Sequence, residues 1–552
     1  MVSGNIKIDD PSPNEDRNEG VDLDQILTDE IGQFGRYQVL TLLLMVAPVV
    51  FTAFSSGEYI FTTARIPTRC RIPQCDGEVP NPEFRPEWVL NAIPGSSKSS
   101  FEGCSRYEDS NNLAPSNETC PPWWFNTTTV DCDEYVYENS LTIVYDFDLG
   151  CNEWRRSLVG SISSFGKLIG IPLAGFISDG WGRRMSLVIS IINIAWIGVS
   201  RSFVNKYEWF VALEVLEAAT GAGAYSACYI LVMELVGPKY RVVTGATMSS
   251  LFALGQVTLG LTAWAVQQWR SLLLVLYLPQ FLIISYYWIL PESIRWLINK
   301  GRHDEAEIIL EKASTINKRQ LSEKSIKILR ATAGTQNDKY ETKEPWLPIL
   351  VIRSRAILLR CIVLPILWII MTLIYYGLSI NSLNLTGNQY LNYVFVTAIE
   401  IPGYWTAILL LDRIGRKSML ICGYWLCSAC QFAVVFMPDG MENLSLVVYL
   451  IGKYSIAIVM SSIYVYTAEL FPTKYRHRLF AFPATVGRLG TIIAPLTPSL
   501  ASEIWESLPS VMFGSFALLA GILVFTTPET LGTKLPDTME EAEQIESRKI
   551  QA

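Results

Sequence analysis

The chain alternates long apolar blocks with short polar connections. Twelve blocks of about 20 residues contain few charges, and each is long enough to cross ~30 Å of hydrocarbon as an α-helix. The blocks are residues 38–60, 156–178, 185–203, 208–235, 245–267, 271–290, 358–379, 389–411, 418–437, 444–469, 478–501 and 509–527. The pattern predicts an all-α membrane protein with twelve transmembrane helices.

Two connections are much longer than the others and divide the chain. The predicted units are an acidic cytoplasmic tail (1–36), an N-terminal half (37–291) with a large external loop (61–155), a cytoplasmic linker (292–357), a C-terminal half (358–528) and a cytoplasmic tail (529–552). In the linker, residues 304–312 have the spacing of an amphipathic helix that could cover the cytoplasmic ends of the spans. The net charge of −8 says little about partners, because the acidic excess lies in the two tails.

Basic residues fix the predicted orientation, because Lys and Arg accumulate in short cytoplasmic loops. They fall in alternate connections, at Arg183, Arg184, Lys239, Arg241, Arg413, Arg416, Lys417, Lys474, Arg476 and Arg478. Both termini are therefore expected in the cytoplasm. The opposite connections carry four Asn-x-Ser/Thr sequons, which predict glycosylation at Asn117, Asn126, Asn384 and Asn443.

The external loop contains an even set of six cysteines. They are Cys70, Cys75, Cys104, Cys120, Cys132 and Cys151. Six cysteines outside the membrane predict three disulfides, and the sequence leaves fifteen pairings open. Metal binding is the weaker interpretation, because the loop has no paired CxxC or HxxxH spacing.

Three motif pairs indicate an internal repeat. GFISDGWGRR (175–184) returns as LLLDRIGRK (409–417), MELVGPKYR (233–241) as AELFPTKYR (468–476), and PES (291–293) as PET (528–530). Asp179 and Asp412 are 233 positions apart, and Glu234 and Glu469 are 235 apart. The pairs predict two homologous six-helix halves, which in transporters hold the substrate at their interface.

The repeated motifs combine acids, glycines and arginines at the cytoplasmic helix ends. Asp179 could accept backbone N–H groups at a helix start, while Arg183 and Arg184 could pair with nearby glutamates. Such pairs would form a switchable cytoplasmic gate. The predicted gate residues are Asp179, Arg183, Arg184, Glu234, Arg241, Glu292, Arg295, Asp412, Arg416, Glu469, Arg476 and Glu529. The alternative is that these basic residues only set topology and face lipid headgroups.

Five of the charges inside predicted spans stand out, because an ionisable residue there costs at least ~2.5–3.5 kcal/mol and marks a candidate functional site. Arg488 lies near the middle of helix 11, between Gly487 and Gly490, and its guanidinium is suited to bidentate capture of a carboxylate. The alternative for Arg488 is a structural ion pair between helices.

Lys167 in helix 2 and Glu217 in helix 4 are predicted at similar depth. They could neutralise each other or take part in substrate or proton coupling. Glu214 lies on the same helix face as Glu217, and Glu58 lies near the outer end of helix 1.

The motifs together resemble the major facilitator superfamily. PESIRWL (291–297), YTAELFPT (466–473) and PET (528–530) resemble its sugar-porter and organic-ion branches. GQFGRYQ (32–38), the cysteine-rich first external loop and LPDT (535–538) resemble the organic cation, organic anion and carnitine transporters of animal plasma membranes.

The resemblance implies the major facilitator fold. It also matches Arg488 to a position at which the branches of the family differ. Anion and carnitine transporters have an arginine at this place, and cation transporters have an aspartate. The family usually has an arginine near Glu214, so this chain departs from the family there.

The resemblance also places a set of aromatic residues on pocket helices. Aromatic faces suit flat or cationic organic ligands. The candidate lining residues are Phe54, Tyr225, Tyr229, Trp264, Tyr375, Tyr376 and Tyr464. For each one alone, a role in packing or as an interface anchor is the favoured interpretation, and only the set as a whole suggests a ligand site.

The predicted function is alternating-access transport of small organic ions across the plasma membrane. A carboxylate-bearing anion or zwitterion, such as a carnitine-like solute, is favoured. An organic cation attracted by Glu58, Glu214 or Glu217 is the alternative within transport, and a non-transporting receptor or scaffold is the alternative of another class. An enzyme is not expected, because the chain has two histidines and no nucleophile motif or phosphate loop. The predicted partners are the organic ion and the bilayer, with no cofactor, metal or nucleic acid, and the coupling ion stays open.

Overall fold

The computed structural model describes residues 23–98, 100–110, 120–322, 347–438, 440–533 and 535–545. Eleven helices in this part of the chain are long and apolar enough to span a membrane, and a twelfth apolar helix is slightly shorter. In order, helices 1 to 12 are Arg36–Thr62, Glu153–Trp181, Arg183–Arg201, Tyr207–Leu235, Pro238–Ala265, Trp269–Ile289, Arg355–Asn384, Gln389–Ile414, Arg416–Val435, Glu442–Leu470, Arg476–Glu503 and Leu508–Val524. The predicted twelve-helix pattern is confirmed.

Prolines and glycines interrupt several helices without ending them. Helix 4 consists of Tyr207–Gly221 followed by Gly223–Leu235, and helix 2 contains Pro172. Helix 11 begins as Arg476–Ile493 and contains Pro483. A proline removes a backbone donor and lets the helix bend, which is tolerated in membranes where neighbouring helices satisfy the freed groups.

The two halves meet along helices 2 and 11 and along helices 5 and 8. Near the extracellular side, Phe61 of helix 1 packs against Tyr390 and Tyr393 of helix 8, with ring centroids 5.8 and 4.9 Å apart. Tyr393 also donates a hydrogen bond to Gln256 of helix 5. These contacts join the two halves at the end of the bundle that carries the disulfide-bonded loop, which the sequence predicts to be extracellular.

The external loop folds into a small disulfide-bonded unit. Its strands pair antiparallel as β1 (Thr68–Cys70) with β6 (Tyr135–Tyr137), β2 (Gly95–Ser97) with β3 (Ser100–Phe101), and β4 (Ser105–Asp109) with β5 (Phe125–Asp131). The disulfides are Cys70–Cys132, Cys75–Cys120 and Cys104–Cys151, which confirms the prediction of three. Of the predicted glycosylation sites, Asn126, Asn384 and Asn443 are exposed, and Asn117 lies outside the described residues.

Short helices of the predicted cytoplasmic linker cover one end of the N-terminal half. Ile294–Asn299 and His303–Asn317 follow helix 6. Leu297 and Leu310 of these helices are buried in one cluster with Tyr37 of helix 1 and Leu235 of helix 4. The apolar face of the linker helix therefore packs on the spanning helices.

Candidate functional site

Arg488 lies near the middle of helix 11, at the interface with helix 2. It is partly buried, and its charge acts on Lys167, Tyr376 and Tyr464. Among the described residues, no carboxylate lies within ion-pair distance of its guanidinium. Arg488 therefore does not form the structural ion pair that was the alternative to substrate binding.

The glycines beside Arg488 serve helix packing. A side chain added at Gly487 would meet Trp368 of helix 7, and one added at Gly490 would meet the backbone of Ile369. Thr372 of helix 7 donates a hydrogen bond of 2.6 Å to the Gly487 carbonyl. The glycines bring helices 7 and 11 together, and Arg488 lies on another side of helix 11.

Lys167 of helix 2 is the second intramembrane cation without a carboxylate partner among the described residues. It is partly buried, and its charge interacts with those of Glu217, Arg488 and Glu58. Glu217, which the sequence offers as its possible direct partner, instead forms an ion pair with a residue of helix 3. Lys167 is therefore within electrostatic range both of Arg488 and of two acids of the N-terminal half.

A buried acid cluster surrounds Arg201 of helix 3. Arg201 pairs with Glu58 of helix 1 at 2.7 Å, with Glu217 of helix 4 at 2.8 Å, and with Glu214. Tyr277 of helix 6 donates to Glu217 (2.8 Å) and accepts from Arg201 (2.9 Å). We call Arg201, Glu58, Glu214, Glu217 and Tyr277 the Arg201 cluster.

A second buried ion pair holds the C-terminal half together. Lys453 of helix 10 lies 2.8 Å from Glu400 of helix 8, and it donates to the Tyr375 carbonyl at 2.7 Å. Its ammonium lies 3.8 Å from the centroid of the Tyr375 ring. The Tyr375 hydroxyl bonds Glu400 and Tyr404, so this predicted pocket residue belongs to a structural network.

Four tyrosines from the two halves interact with one another, and two of them, Tyr376 and Tyr464, also interact with Arg488. The ring centroids of Tyr225 and Tyr229 of helix 4 lie 6.1 Å apart. Both residues interact electrostatically with Tyr464 of helix 10. Tyr464 packs on Trp368 of helix 7, with centroids 4.6 Å apart. Tyr376 interacts with Arg488 and Tyr464. We call Tyr225, Tyr229, Tyr376 and Tyr464 the aromatic wall.

Two of the predicted lining residues, Phe54 and Trp264, are not part of the aromatic wall. Phe54 packs on Phe51 of its own helix at 6.2 Å and is partly buried. Trp264 is 44% exposed and lies in the last turn of helix 5, far from the depth of Arg488 near the middle of helix 11. Trp264 is therefore not brought to Arg488, because helix 5 places it at the membrane surface, where tryptophan is favoured.

The cytoplasmic motifs form two matching networks. Arg183 pairs with Asp179 (2.7 Å) and approaches Glu234 (3.9 Å), while Arg416 pairs with Asp412 (2.8 Å) and Glu469 (3.1 Å). Each of these contacts joins residues of a single half. The predicted pairing within the repeated motifs is present in both copies.

The helix-start acceptors are the glutamates of the PES and PET motifs. Glu292 accepts from the N–H groups of Arg183 (2.8 Å) and Arg184 (3.1 Å), and Glu529 accepts from Arg416 (3.0 Å) and Lys417 (3.1 Å). Asp179 was expected in this role, but its side chain is 78% exposed and binds Arg183. The carboxylate of Glu292, just after helix 6, therefore offsets the partial positive charge at the N-terminus of helix 3.

The remaining predicted gate residues have other partners. Arg241 and Arg295 both bind Asp24, at 2.6 Å for Arg241. Arg184 stacks over the Tyr287 ring, with 5.1 Å to its centroid. Arg476 donates to the Thr473 hydroxyl and the Phe471 carbonyl.

Sequence reasoning missed Arg201, Lys453 and Glu400. All three are charges inside predicted apolar blocks, which is the signal that identified Arg488 and Lys167. Applied evenly, the same criterion would have found them. Tyr277 carries no comparable signal, because a tyrosine in a span is common.

Comparisons with known proteins agree on one family. The model of the family described as "Sugar (and other) transporter" matches residues 108–542. An "Organic cation transporter protein" of Drosophila melanogaster is 32% identical over 95% of this chain and 94% of its own length. "Solute carrier family 22 member 21" of Mus musculus is 30% identical over 96% and 94% of the two chains.

Two further matches extend this comparison. "Organic cation/carnitine transporter 2" of Homo sapiens is 28% identical over 96% of this chain and 95% of its own length. The partially occluded inward-open structure of the xylose transporter XylE from E. coli superposes with a TM-score of 0.61 at 16% identity, over 90% of this chain and all of that one. This structure supports the predicted fold of two six-helix bundles.

Proposed function

We propose that this chain, which belongs to the sugar (and other) transporter family of the major facilitator superfamily, transports an organic solute that carries a carboxylate. Its relatives are solute carriers, so the chain is a multi-pass membrane transporter of small organic ions and not an enzyme. The finer assignment concerns the charge of the substrate and the side chains that bind it. We place the transporter in the plasma membrane with both termini in the cytoplasm, as its basic loops indicate.

The main support for this proposal comes from two cations at the interface between the halves, Arg488 and Lys167. Arg488 and Lys167 have no carboxylate partner among the described residues, and they lie close enough to interact. Two unpaired cations in a membrane interior are costly unless an anion neutralises them during function. A substrate carboxylate would supply that anion, and the Arg488 guanidinium would bind it through two hydrogen bonds.

The acids that favoured a cation as substrate are already occupied. Glu58, Glu214 and Glu217 all pair with Arg201, and Glu400 pairs with Lys453. None of these four acids is an unpaired counter-ion for an organic cation. The positions of the ion pairs therefore support an anion or zwitterion.

The aromatic wall supports an organic rather than inorganic anion. Tyr225 and Tyr229 interact with Tyr464 of the other half, and Tyr464 interacts in turn with Arg488, so these rings would offer apolar surface to a substrate bound by Arg488. The ring faces would also hold the ammonium group of a zwitterion by cation–π attraction. A carnitine-like solute fits both features.

The cytoplasmic networks support alternating access. Arg183 and Arg416 hold matching acids within their own halves while the extracellular side is closed. We propose that these networks exchange partners across the halves when the cytoplasmic side closes, as a gate with two sets of contacts. The receptor alternative gives the paired motifs no such role.

Uptake into cells tests the substrate class. We expect the chain to take up radiolabelled carnitine or succinate in preference to tetraethylammonium, and the variant Arg488→Ala to lose this uptake with normal surface expression. The matched control is Arg478→Ala, an exposed arginine at the cytoplasmic end of the same helix. Preferential uptake of tetraethylammonium, or full carboxylate uptake by Arg488→Ala, would contradict the proposal.

A further inference from the structure

Arg65 and Arg156 line a cavity at the end of the bundle that carries the disulfide-bonded loop. Arg65 follows helix 1, and Arg156 lies in the first turn of helix 2. The cavity has a volume of about 30 Å³, which is space for about two water molecules. Because the side chain of Arg65 is 58% exposed, the cavity opens to water on the side that the sequence predicts to be extracellular.

The walls of the cavity come from both halves. The N-terminal half contributes Thr63 and Ser157, and the C-terminal half contributes Leu383 and Pro495. Helices 2 and 11 touch here, because a side chain added at Gly160 of helix 2 would meet Pro495. The cavity therefore exists only while the halves are in contact at this end of the bundle.

The two arginines share one acid. A guanidinium nitrogen of Arg156 lies 2.6 Å from the Glu153 carboxylate, and one of Arg65 lies 3.1 Å from it. Arg156 also donates to the Thr63 carbonyl at 3.0 Å. The described residues that line the cavity include no acid, so the positive charges outnumber the negative ones. A monovalent anion would balance the excess, which is unfavourable in a partly buried site.

The cavity also contains hydrogen-bond donors that lack a partner. Ser157 is 5% exposed, and its hydroxyl is buried without a hydrogen bond. Arg65 contacts Glu153 through Nε, and its two terminal nitrogens form no hydrogen bond within the described part of the chain. A carboxylate accepts hydrogen bonds at both oxygens, so one such group satisfies the serine hydroxyl and the arginine together.

The size and the walls of the cavity favour a small organic carboxylate. Space for about two water molecules accommodates the two oxygens of a carboxylate, whereas phosphate and sulfate carry four oxygens around one centre. Ile380, Leu383 and Pro495 form an apolar wall from the C-terminal half. A short carbon chain packs on such a wall, and a halide ion leaves it without a contact.

The cavity is separate from the proposed substrate site. Pro495 follows Arg488 by seven positions in the sequence, which is about 10 Å along a helix. The residues that line the cavity include neither Arg488 nor Lys167, and they include no member of the aromatic wall. A carboxylate in the cavity therefore does not compete directly for the Arg488 guanidinium.

We propose that this cavity is an external binding site for a small carboxylate of the acetate class, and that its occupation inhibits transport. The ligand contacts both halves, so it binds only the state in which this end of the bundle is closed. A ligand that binds one of two states shifts the protein towards that state. External carboxylate therefore holds the carrier closed on this side and slows its return to the outward-open state.

Thermal unfolding of the purified full-length protein tests the binding. All variants are made in Arg488→Gln, so that acetate bound by Arg488 does not contribute, and sodium acetate is compared with sodium chloride at equal ionic strength. With a dissociation constant on the order of 1 mM, acetate at about 10 mM should favour the closed state about tenfold and raise the melting temperature. Adding Arg65→Gln should remove this shift. The matched control Arg155→Gln changes an exposed arginine that does not line the cavity, and it should keep the shift.

The variant Ser157→Ala separates a ligand contact from a structural role. Removing a buried hydroxyl that has no partner should leave the unliganded protein at least as stable as before. The melting-temperature shift with acetate should become smaller, because the carboxylate loses one hydrogen bond. An acetate shift that neither Ser157→Ala nor Arg65→Gln reduces would place the acetate elsewhere and overturn the site.

Uptake and labelling test the inhibitory role. External acetate at about 10 mM should lower the maximal rate of radiolabelled carnitine uptake into cells at least about threefold, and saturating carnitine should not restore it. Acetate should also slow the labelling, by an impermeant thiol reagent, of a cysteine placed at Thr62, a measurement that needs no transported substrate. Arg65→Gln should remove both effects, and Arg155→Gln should retain both.

The external site and the proposed function fail separately. A melting-temperature shift of equal size with chloride would overturn the carboxylate class. Inhibition that saturating carnitine relieves, or unchanged labelling at Thr62, would overturn the inhibitory role. If neither carnitine nor succinate is taken up while acetate shifts the melting temperature and slows the labelling, the proposed function is wrong and the external site stands.

Discussion

Arg201 of helix 3 and Glu58 of helix 1 form an ion pair at 2.7 Å in which neither side chain is exposed. Glu217 of helix 4 binds the same guanidinium nitrogen, at 2.8 Å. One arginine therefore joins three helices of the N-terminal half. The C-terminal half uses Lys453 and Glu400 instead, so the buried ion pairs of the two halves differ although the charge networks of the repeated motifs match.

Removing the arginine should destabilise the N-terminal half severely. In Arg201→Gln, the buried carboxylates lose their shared cation, and the expected loss is about 3–5 kcal/mol of unfolding free energy. The loss should be smaller at pH 5 than at pH 8, because protonation removes the unpaired negative charge. Thermal unfolding in detergent measures both effects, with the exposed Arg413→Gln as control. Equal melting temperatures for Arg201→Gln and wild type at pH 8 would contradict this account.

The capping role of Glu292 separates it from Asp179. Glu292 is buried and accepts from the first N–H groups of helix 3, so Glu292→Ala should cost about 0.5–2 kcal/mol, the range found for lost helix caps. Asp179→Ala removes an exposed ion pair and should cost less than about 1 kcal/mol. Parallel melting curves of the two variants check the order. A larger loss from Asp179→Ala would show that the aspartate is the cap.

The close contact at Gly260 should be needed for extracellular closure. A side chain at Gly260 of helix 5 would meet Tyr393 and Val394 of helix 8 in the other half. Gly260→Leu should therefore hold the extracellular side open and reduce uptake at least about tenfold, whereas Gly175→Leu, at a glycine with open space around it, should transport normally. Labelling by an impermeant thiol reagent of a cysteine placed at Thr62 reports the opening. Wild-type uptake by Gly260→Leu would exclude a tight closure at this contact.

The sequence predicted the fold almost completely, because a membrane span needs a long apolar block and a repeat needs only matching motifs. It also predicted that Asp179, Arg183 and Glu234 belong to one network. It could not assign Glu292 to the start of helix 3, since that contact depends on how helix 6 ends beside helix 3. It offered Lys167 as the partner of Glu217 and missed Arg201, since residues at equal depth can face different neighbours.

The aromatic predictions show the same limit. Tyr225, Tyr229, Tyr376 and Tyr464 lie near Arg488 or one another, whereas Trp264 is exposed at a helix end. The identity of an aromatic residue does not encode its direction on the helix. Tyr375 differs from its neighbour Tyr376 by about 100° of helical rotation, and it joins Glu400 instead of the interface.

The central claim is that the Arg488 guanidinium binds the carboxylate of the substrate. A comparison of carnitine with choline tests this claim most directly. Choline carries the trimethylammonium group of carnitine without the carboxylate, so competition by each compound for uptake isolates that group. In the wild type, carnitine should compete at least about tenfold better than choline, because hydrogen bonds between charged groups contribute about 1.5–3 kcal/mol. In Arg488→Gln the two should compete equally, with thermal stabilisation of the purified protein by each compound as the readout if uptake is lost. An unchanged preference for carnitine in Arg488→Gln would contradict the claim that Arg488 binds the carboxylate.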